Sequence, residues 1–89
     1  MPNLYLLKIE KVDYLGKHSL EIFFSDGAIQ QINFAPFLEK SMHPEIRKFL
    51  NIRKFKKYNF KNGALIWGDY DLVFPIIDLY ENQIERGGV

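Results

Sequence analysis

Residues 18–34 read His18-Ser19-Leu20-Glu21-Ile22-Phe23-Phe24-Ser25-Asp26-Gly27-Ala28-Ile29-Gln30-Gln31-Ile32-Asn33-Phe34, and the way this stretch folds back on itself decides the class of the chain. Leu20, Ile22 and Phe24 alternate with Ser19, Glu21 and Phe23, and the alternation resumes through Ile32 and Phe34. A period of two marks strands with one buried face. The turn between them follows from parity. A two-residue Asp26-Gly27 loop pairs Leu20 with Asn33 and Ile22 with Gln31, which mixes apolar and polar faces. A three-residue Ser25-Asp26-Gly27 loop, with Gly27 in the left-handed region, puts Leu20, Ile22, Phe24, Ile32 and Phe34 on one face. The second loop is the one expected.

Upstream, residues 4–12 are rich in Leu, Ile, Val and Tyr and read as another strand, punctuated by Leu15-Gly16-Lys17. Downstream, Pro36 and Pro44 suit the first positions of short helices, and Ile46, Phe49 and Leu50 fall at helical spacing. Tyr58-Asn59-Phe60-Lys61, the turn Asn62-Gly63 and Ala64-Leu65-Ile66-Trp67 predict a second hairpin, pairing Phe60 with Leu65 and Tyr58 with Trp67 on a buried aromatic face. Pro75-Ile76-Ile77-Asp78-Leu79-Tyr80 starts a last helix, and residues 84–89 are expected to fray. The expectation is a single α+β domain over residues 1–89, its mainly antiparallel sheet in β-β-β-α-β-β-α order with short helices packed on one face.

Eighty-nine residues suffice for one core, and 47% hydrophobic with 26% charged residues argues against disorder. There is no cysteine, which removes disulfides, thiolate metal ligands and thiol nucleophiles together. Neither a signal peptide nor a membrane span is legible, so a cytoplasmic protein without membrane association is expected.

The net charge of +1 hides an uneven distribution. Residues 46–68 carry Arg47, Lys48, Arg53, Lys54, Lys56, Lys57 and Lys61 and no acid, whereas residues 69–89 carry Asp69, Asp71, Asp78, Glu81 and Glu85 against Arg86 alone. The basic segment 47–61, with Tyr58 and Phe60 for base stacking, is the footprint a nucleic-acid binder would leave. A solvated basic face that complements the acidic end of the same molecule, or of a partner, is the simpler reading. Opposed patches cancel at distance and steer a protein better than a polyanion.

The chemistry-bearing residues do not assemble an enzyme. His18 and His43 lie far apart without ligand spacing, and His18 and Ser19 are strand neighbours that point to opposite faces. Gly-x-Ser-x-Gly and glycine-rich phosphate loops are missing from the sequence. Asp69 and Asp71 form an Asp-x-Asp that Asp78 or Glu81 would complete as a cation site, but aspartates satisfying turn amides are the commoner use of such a pair. No catalytic residue, cofactor or metal is therefore assigned. The candidate interaction residues are Arg47, Lys48, Arg53, Lys54, Lys56, Lys57 and Lys61 together with Asp69, Tyr70 and Asp71, with Tyr70 in a loop as an interface anchor. Trp67 is read as core.

The order of Leu20-x-Ile22-x-Phe24-x-Asp26-Gly27, Ile32-Asn33-Phe34, Phe49-Leu50 with Phe55, Ile66-Trp67, Asp71-Leu72 and Leu79-Tyr80 resembles the small bacterial family called domain of unknown function 2442. The resemblance spans nearly the whole chain. It departs after Trp67, where members typically have Pro-Asn-Gly and this chain has Gly68-Asp69-Tyr70. It implies the strand and helix order above and a binding module rather than an activity. Some members precede a helix-turn-helix DNA-binding domain, and others are encoded beside a second small protein in the manner of antitoxin and toxin. The function expected is a non-enzymatic protein-interaction module, the antitoxin-like member of a two-protein unit. The alternative is a nucleic-acid-binding or transcription-regulatory accessory domain.

Overall fold

The computed structural model describes residues 7–61 and 63–84. Along them run β1 (Ile9–Gly16), β2 (Ser19–Phe24), β3 (Ile29–Asn33), α1 (Ala35–Lys40), α2 (Pro44–Arg47), a 3-10 turn (Lys48–Leu50), α3 (Ile52–Phe55), β4 (Tyr58–Lys61), β5 (Ala64–Trp67), β6 (Leu72–Pro75) and α4 (Ile76–Tyr80). The α+β class holds. The single sheet does not: the strands form two antiparallel three-stranded meanders, β1-β2-β3 and β4-β5-β6.

The first hairpin has the expected loop. Phe24 N–H donates to Ala28 O at 2.9 Å across Ser25-Asp26-Gly27, and Gly27 has φ +92°. Leu20, Ile22, Phe24, Ile32 and Phe34 are all buried together. The strand expected over residues 4–12 is displaced: residues 4–6 lie outside the described residues, and β1 continues to Gly16, reversing through Lys17 and His18. Register shifts between Ile9 and Lys11 and between Tyr14 and Gly16 are the reason. They place Ile9 and Val12 inside at a spacing of three, so the period-two signal breaks before the strand ends.

The second hairpin pairs Phe60 with Leu65 and Tyr58 with Trp67, as parity predicts; Asn62 of its turn lies outside the described residues. Leu65 and Trp67 are buried and Tyr58 and Phe60 half-buried. The element absent from the expected order is β6, whose Leu72 and Phe74 pair with Trp67 and Leu65. Four residues closed by a proline give little alternation to read, and Pro75 is tolerated because β6 is an edge strand. Ile84, placed by the sequence reading at the start of the frayed tail, is buried in the core; residues 85–89 lie outside the described residues.

Both sheets turn one face into a shared core, and the helices feed it: Phe37 and Leu38 from α1, Phe49 from the 3-10 turn, Phe55 from α3 and Leu79 from α4. Trp67 sits at its centre, stacked on Phe55 at 5.4 Å and edge-on to Phe34 and Phe74, with its indole N–H donating to Phe55 O at 2.7 Å. Its one polar atom is thus satisfied in a fully buried position. Among the described residues, no helix is long and apolar enough to cross a membrane.

Candidate interaction surface

The segment from α2 to α3 is a chain of single helical turns, which explains its charge pattern. Phe49 and Phe55 point inward, Asn51 Oδ1 caps α3 by accepting from Lys54 N–H at 3.3 Å, and the intervening lysines are left outward. Where this segment meets the β5–β6 loop there is an open pocket of about 340 Å³, lined by Lys48, Phe49, Lys54, Lys57, Asn59, Gly68 and Asp71.

Two kinds of lysine line it. Lys48 Nζ lies 2.9 Å from both Glu45 Oε2 and Asp71 Oδ2, and hydrogen bonding first to Glu45 and then to Asp71 raises its pKa above the ordinary lysine value. The ammonium groups of Lys54 and Lys57 have no ion pair or hydrogen bond among the described residues. Gly68 forms the opposite wall. Its φ is +63°, a region that favours glycine, and a Cβ there would stand 2.5 Å from Asp71 Oδ2 and displace that carboxylate.

Beside the pocket, β4, β5 and β6 turn their second face away from the core. The rows across it are Asn59, Ile66 and Val73, then Lys61, Ala64 and Pro75. Ile66 is 6% exposed and lies outside the core cluster, while Val73 is 38% exposed. Tyr70, in the β5–β6 loop, is 59% exposed and has φ +65°, a conformation disfavoured for a bulky residue. Lys61 ties it to this face, donating to Tyr70 Oη at 2.9 Å, a bond that raises the Lys61 pKa.

Of the residues singled out from sequence, Lys48, Lys54, Lys57 and Asp71 converge on the pocket, and Lys61 and Tyr70 form a pair beside the sheet face. Arg53 and Asp69 are exposed outside the pocket lining. Arg47 is used structurally, donating to Glu39 O at 2.7 Å and Ser41 O at 3.3 Å behind α1. Lys56 sits over the Tyr14 ring at 5.1 Å. Asn59, Phe49 and Gly68 were not anticipated as lining residues. Only the unbroken apolar run Ala64-Leu65-Ile66-Trp67 hinted that β5 has apolar side chains on both faces.

The remaining candidates have structural duties. His18 Nε2–H donates to Leu50 O at 2.8 Å with the ring edge-on to Phe55, joining the β1–β2 turn to the 3-10 turn. His43 is the N-cap residue of α2. Tyr58 Oη–H donates to Val12 O at 3.3 Å, linking the two sheets, and burial followed by the charge of Asp13 raises its pKa. It is no free stacking platform. The Asp71 carboxylate is committed to Lys48, and among the described residues no three His, Asp or Glu side chains cluster as metal ligands would.

Comparison of the chain with protein-family models, with curated proteins and with solved structures found no match.

Proposed function

We propose that the chain is a non-enzymatic protein-interaction module that docks a partner on the outer face of β4-β5-β6. The observation that carries this reading is the apolar row on that face: Ile66 beside Val73 and Ala64 beside Pro75, bordered by the exposed ring of Tyr70. Ile66 is covered within the chain, but Val73 is 38% and Tyr70 59% exposed on this side, so the contact surface offered to a partner centres on these two side chains. A half-apolar centre with a polar rim is the anatomy of a protein interface. Asn59 belongs to both this face and the basic pocket, so the partner fitting the surface is a protein with an apolar strip flanked by negative charge.

Two features favour a protein over a polyanion. Glu45 and Asp71 stand within the basic region on Lys48, and Tyr58 is held in the seam between the sheets instead of facing solvent. That the partner is the toxin-like member of a two-protein unit follows from the resemblance to domain of unknown function 2442 alone.

Val73→Glu tests the reading, because it adds a charge at the centre of the proposed contact while leaving the core untouched. Used as bait in lysate of its source organism, the chain should retain one protein that Val73→Glu loses and Ile29→Glu, exposed on the other sheet, keeps. The purified pair should then bind in isothermal titration calorimetry, about tenfold or more weaker with Val73→Glu. Equal binding by both variants and wild type overturns the reading.

A further inference from the structure

We infer that the pocket lined by Lys48, Lys54, Lys57 and Asn59 is a receptor for a single phosphomonoester group, carried on a phosphorylated side chain of the docked partner. The inference rests on the docking surface proposed above, which the pocket adjoins through Asn59.

Donor chemistry comes first. Three lysines and an asparagine line the pocket together with the Asp71 carboxylate, and Arg53 and Arg47 are absent from its lining. A planar guanidinium fork matches the two coplanar oxygens of a carboxylate, whereas ammonium groups act as point charges that can surround a tetrahedral group from several sides. Charge comes second. The positive charge of Lys48 is offset by Glu45 and Asp71, each 2.9 Å away. Lys54 and Lys57, three residues apart at the end of α3, contribute two charges without partners among the described residues. Three lysines less two carboxylates leave a net charge of +1 at the pocket, the sign that attracts a phosphomonoester, which carries roughly −1.5 to −2 near neutral pH.

The neighbours of the pocket select one phosphoryl group over a chain of them. Asp71 in the lining and Glu45 beside Lys48 repel any anion, so a nucleic-acid strand, which brings several phosphates to the same two carboxylates, is disfavoured more than a single phosphoryl group. The volume of about 340 Å³ also lies near the lower end of ligand pockets, roughly 300 to 1,000 Å³, and accommodates one phosphoryl group with the side chain bearing it. Gly68 contributes by what it lacks. Its missing side chain lets Asp71 lie against the loop, where it anchors Lys48 at the wall with the ammonium over the Phe49 ring at 5.3 Å.

The experiment is a ¹⁵N-resolved NMR titration of the full chain with four probes: inorganic phosphate, a neutral peptide bearing one phosphoserine, its unphosphorylated twin, and a single-stranded DNA oligonucleotide. The phosphopeptide should shift Lys54, Lys57, Asn59 and Gly68 saturably with a dissociation constant of about 1 mM or tighter. The twin should not bind, and Lys54→Gln with Lys57→Gln should weaken the phosphopeptide about tenfold or more while Lys61→Gln does not. Absence of saturable shifts at these residues overturns the inference. So does inorganic phosphate binding as tightly as the phosphopeptide, which assigns the pocket to a free anion. DNA binding more tightly through the same lysines assigns it to nucleic acid and likewise overturns it. The docking reading fails separately: it stands or falls on Val73→Glu, which leaves all four pocket residues in place.

Discussion

The two meanders repeat one plan, three antiparallel strands giving one face to a common core, yet their other faces differ. On β1-β2-β3 the outward rows are Asp13, Glu21 and Gln31, then Lys11, Phe23 and Ile29. Polar chemistry dominates there: Lys11 lies 3.3 Å from Asp13 and reaches over the Phe23 ring at 4.7 Å, and Gln31 donates to Glu21 at 2.8 Å. On β4-β5-β6 the outward rows are Asn59, Ile66 and Val73, then Lys61, Ala64 and Pro75, with no carboxylate among them. The outer face of the first sheet carries charged and amide pairs around Phe23 and Ile29; that of the second carries Ile66, Val73, Ala64 and Pro75 beside Asn59 and Lys61. The contrast is what supports the proposal of a docking face on the second sheet.

The sharpest way to break the contrast is to remove the residue that joins both sheets. Trp67 packs on Phe34 from the first meander and Phe74 from the second, and its truncation leaves a large cavity. Trp67→Ala should cost about 3 to 5 kcal/mol, read from urea unfolding. Against the roughly 5 to 15 kcal/mol that folded domains hold, this should appear as a large drop in the urea midpoint. A wild-type midpoint would mean that the two sheets do not depend on one core.

A smaller effect separates the two β-turn regions. Gly27 and Gly68 both have positive φ, at +92° and +63°, but a Cβ at Gly27 meets open space and one at Gly68 meets Asp71 at 2.5 Å. Gly27→Ala should cost about 1 to 2 kcal/mol from backbone strain alone. Gly68→Ala should cost more, and it should also weaken phosphopeptide binding by displacing Asp71 and with it Lys48. Equal costs, with the pocket unaffected, would mean that the β5–β6 loop yields without disturbing Asp71.

What the sequence made legible follows the same division. The 18–34 hairpin could be read to the residue because polar Ser19, Glu21, Gln31 and Asn33 alternate with Leu20, Ile22, Ile32 and Phe34, so only one loop length keeps the faces apart. The 58–67 register was legible from Asn62-Gly63 and the aromatic pairing. β6 was not, since Leu72-Val73-Phe74-Pro75 has apolar residues on both faces and no polar beat to count. The apolar character that makes this sheet a docking candidate is what blurred its strand. The basic segment was evident as composition, but which lysines converge depends on the path of three successive helical turns and on the Gly68–Asp71 loop, and neither has a periodic signal.

The smallest effect lies where the first meander is fastened to α4. Tyr80 Oη–H donates to Asp26 Oδ2 at 2.5 Å, Asp26 Oδ1 accepts from Ala28 N–H at 2.9 Å, and Gln30 Nε2 donates to Tyr80 O at 2.8 Å. The Tyr80 bond, and after it the Ala28 amide, hold the Asp26 carboxyl below its ordinary value of 3.8. In acid the unfolded chain therefore binds this proton before the folded one does. The stabilisation is complete above the unfolded value, in the range above pH 5, and disappears as pH falls through the folded value. Asp26 is solvent-exposed, so the effect should appear as a modest shift in melting temperature. Tyr80→Phe removes the donor while keeping the ring edge-on to Phe24 at 5.0 Å. It should lower the melting temperature by a constant amount at neutral pH, with the gap from wild type closing as pH drops below about 4. A gap that stays open down to pH 2 would mean that Tyr80 stabilises the loop through packing on Phe24, and that the fastening of the hairpin tip to α4 is apolar rather than charge-assisted.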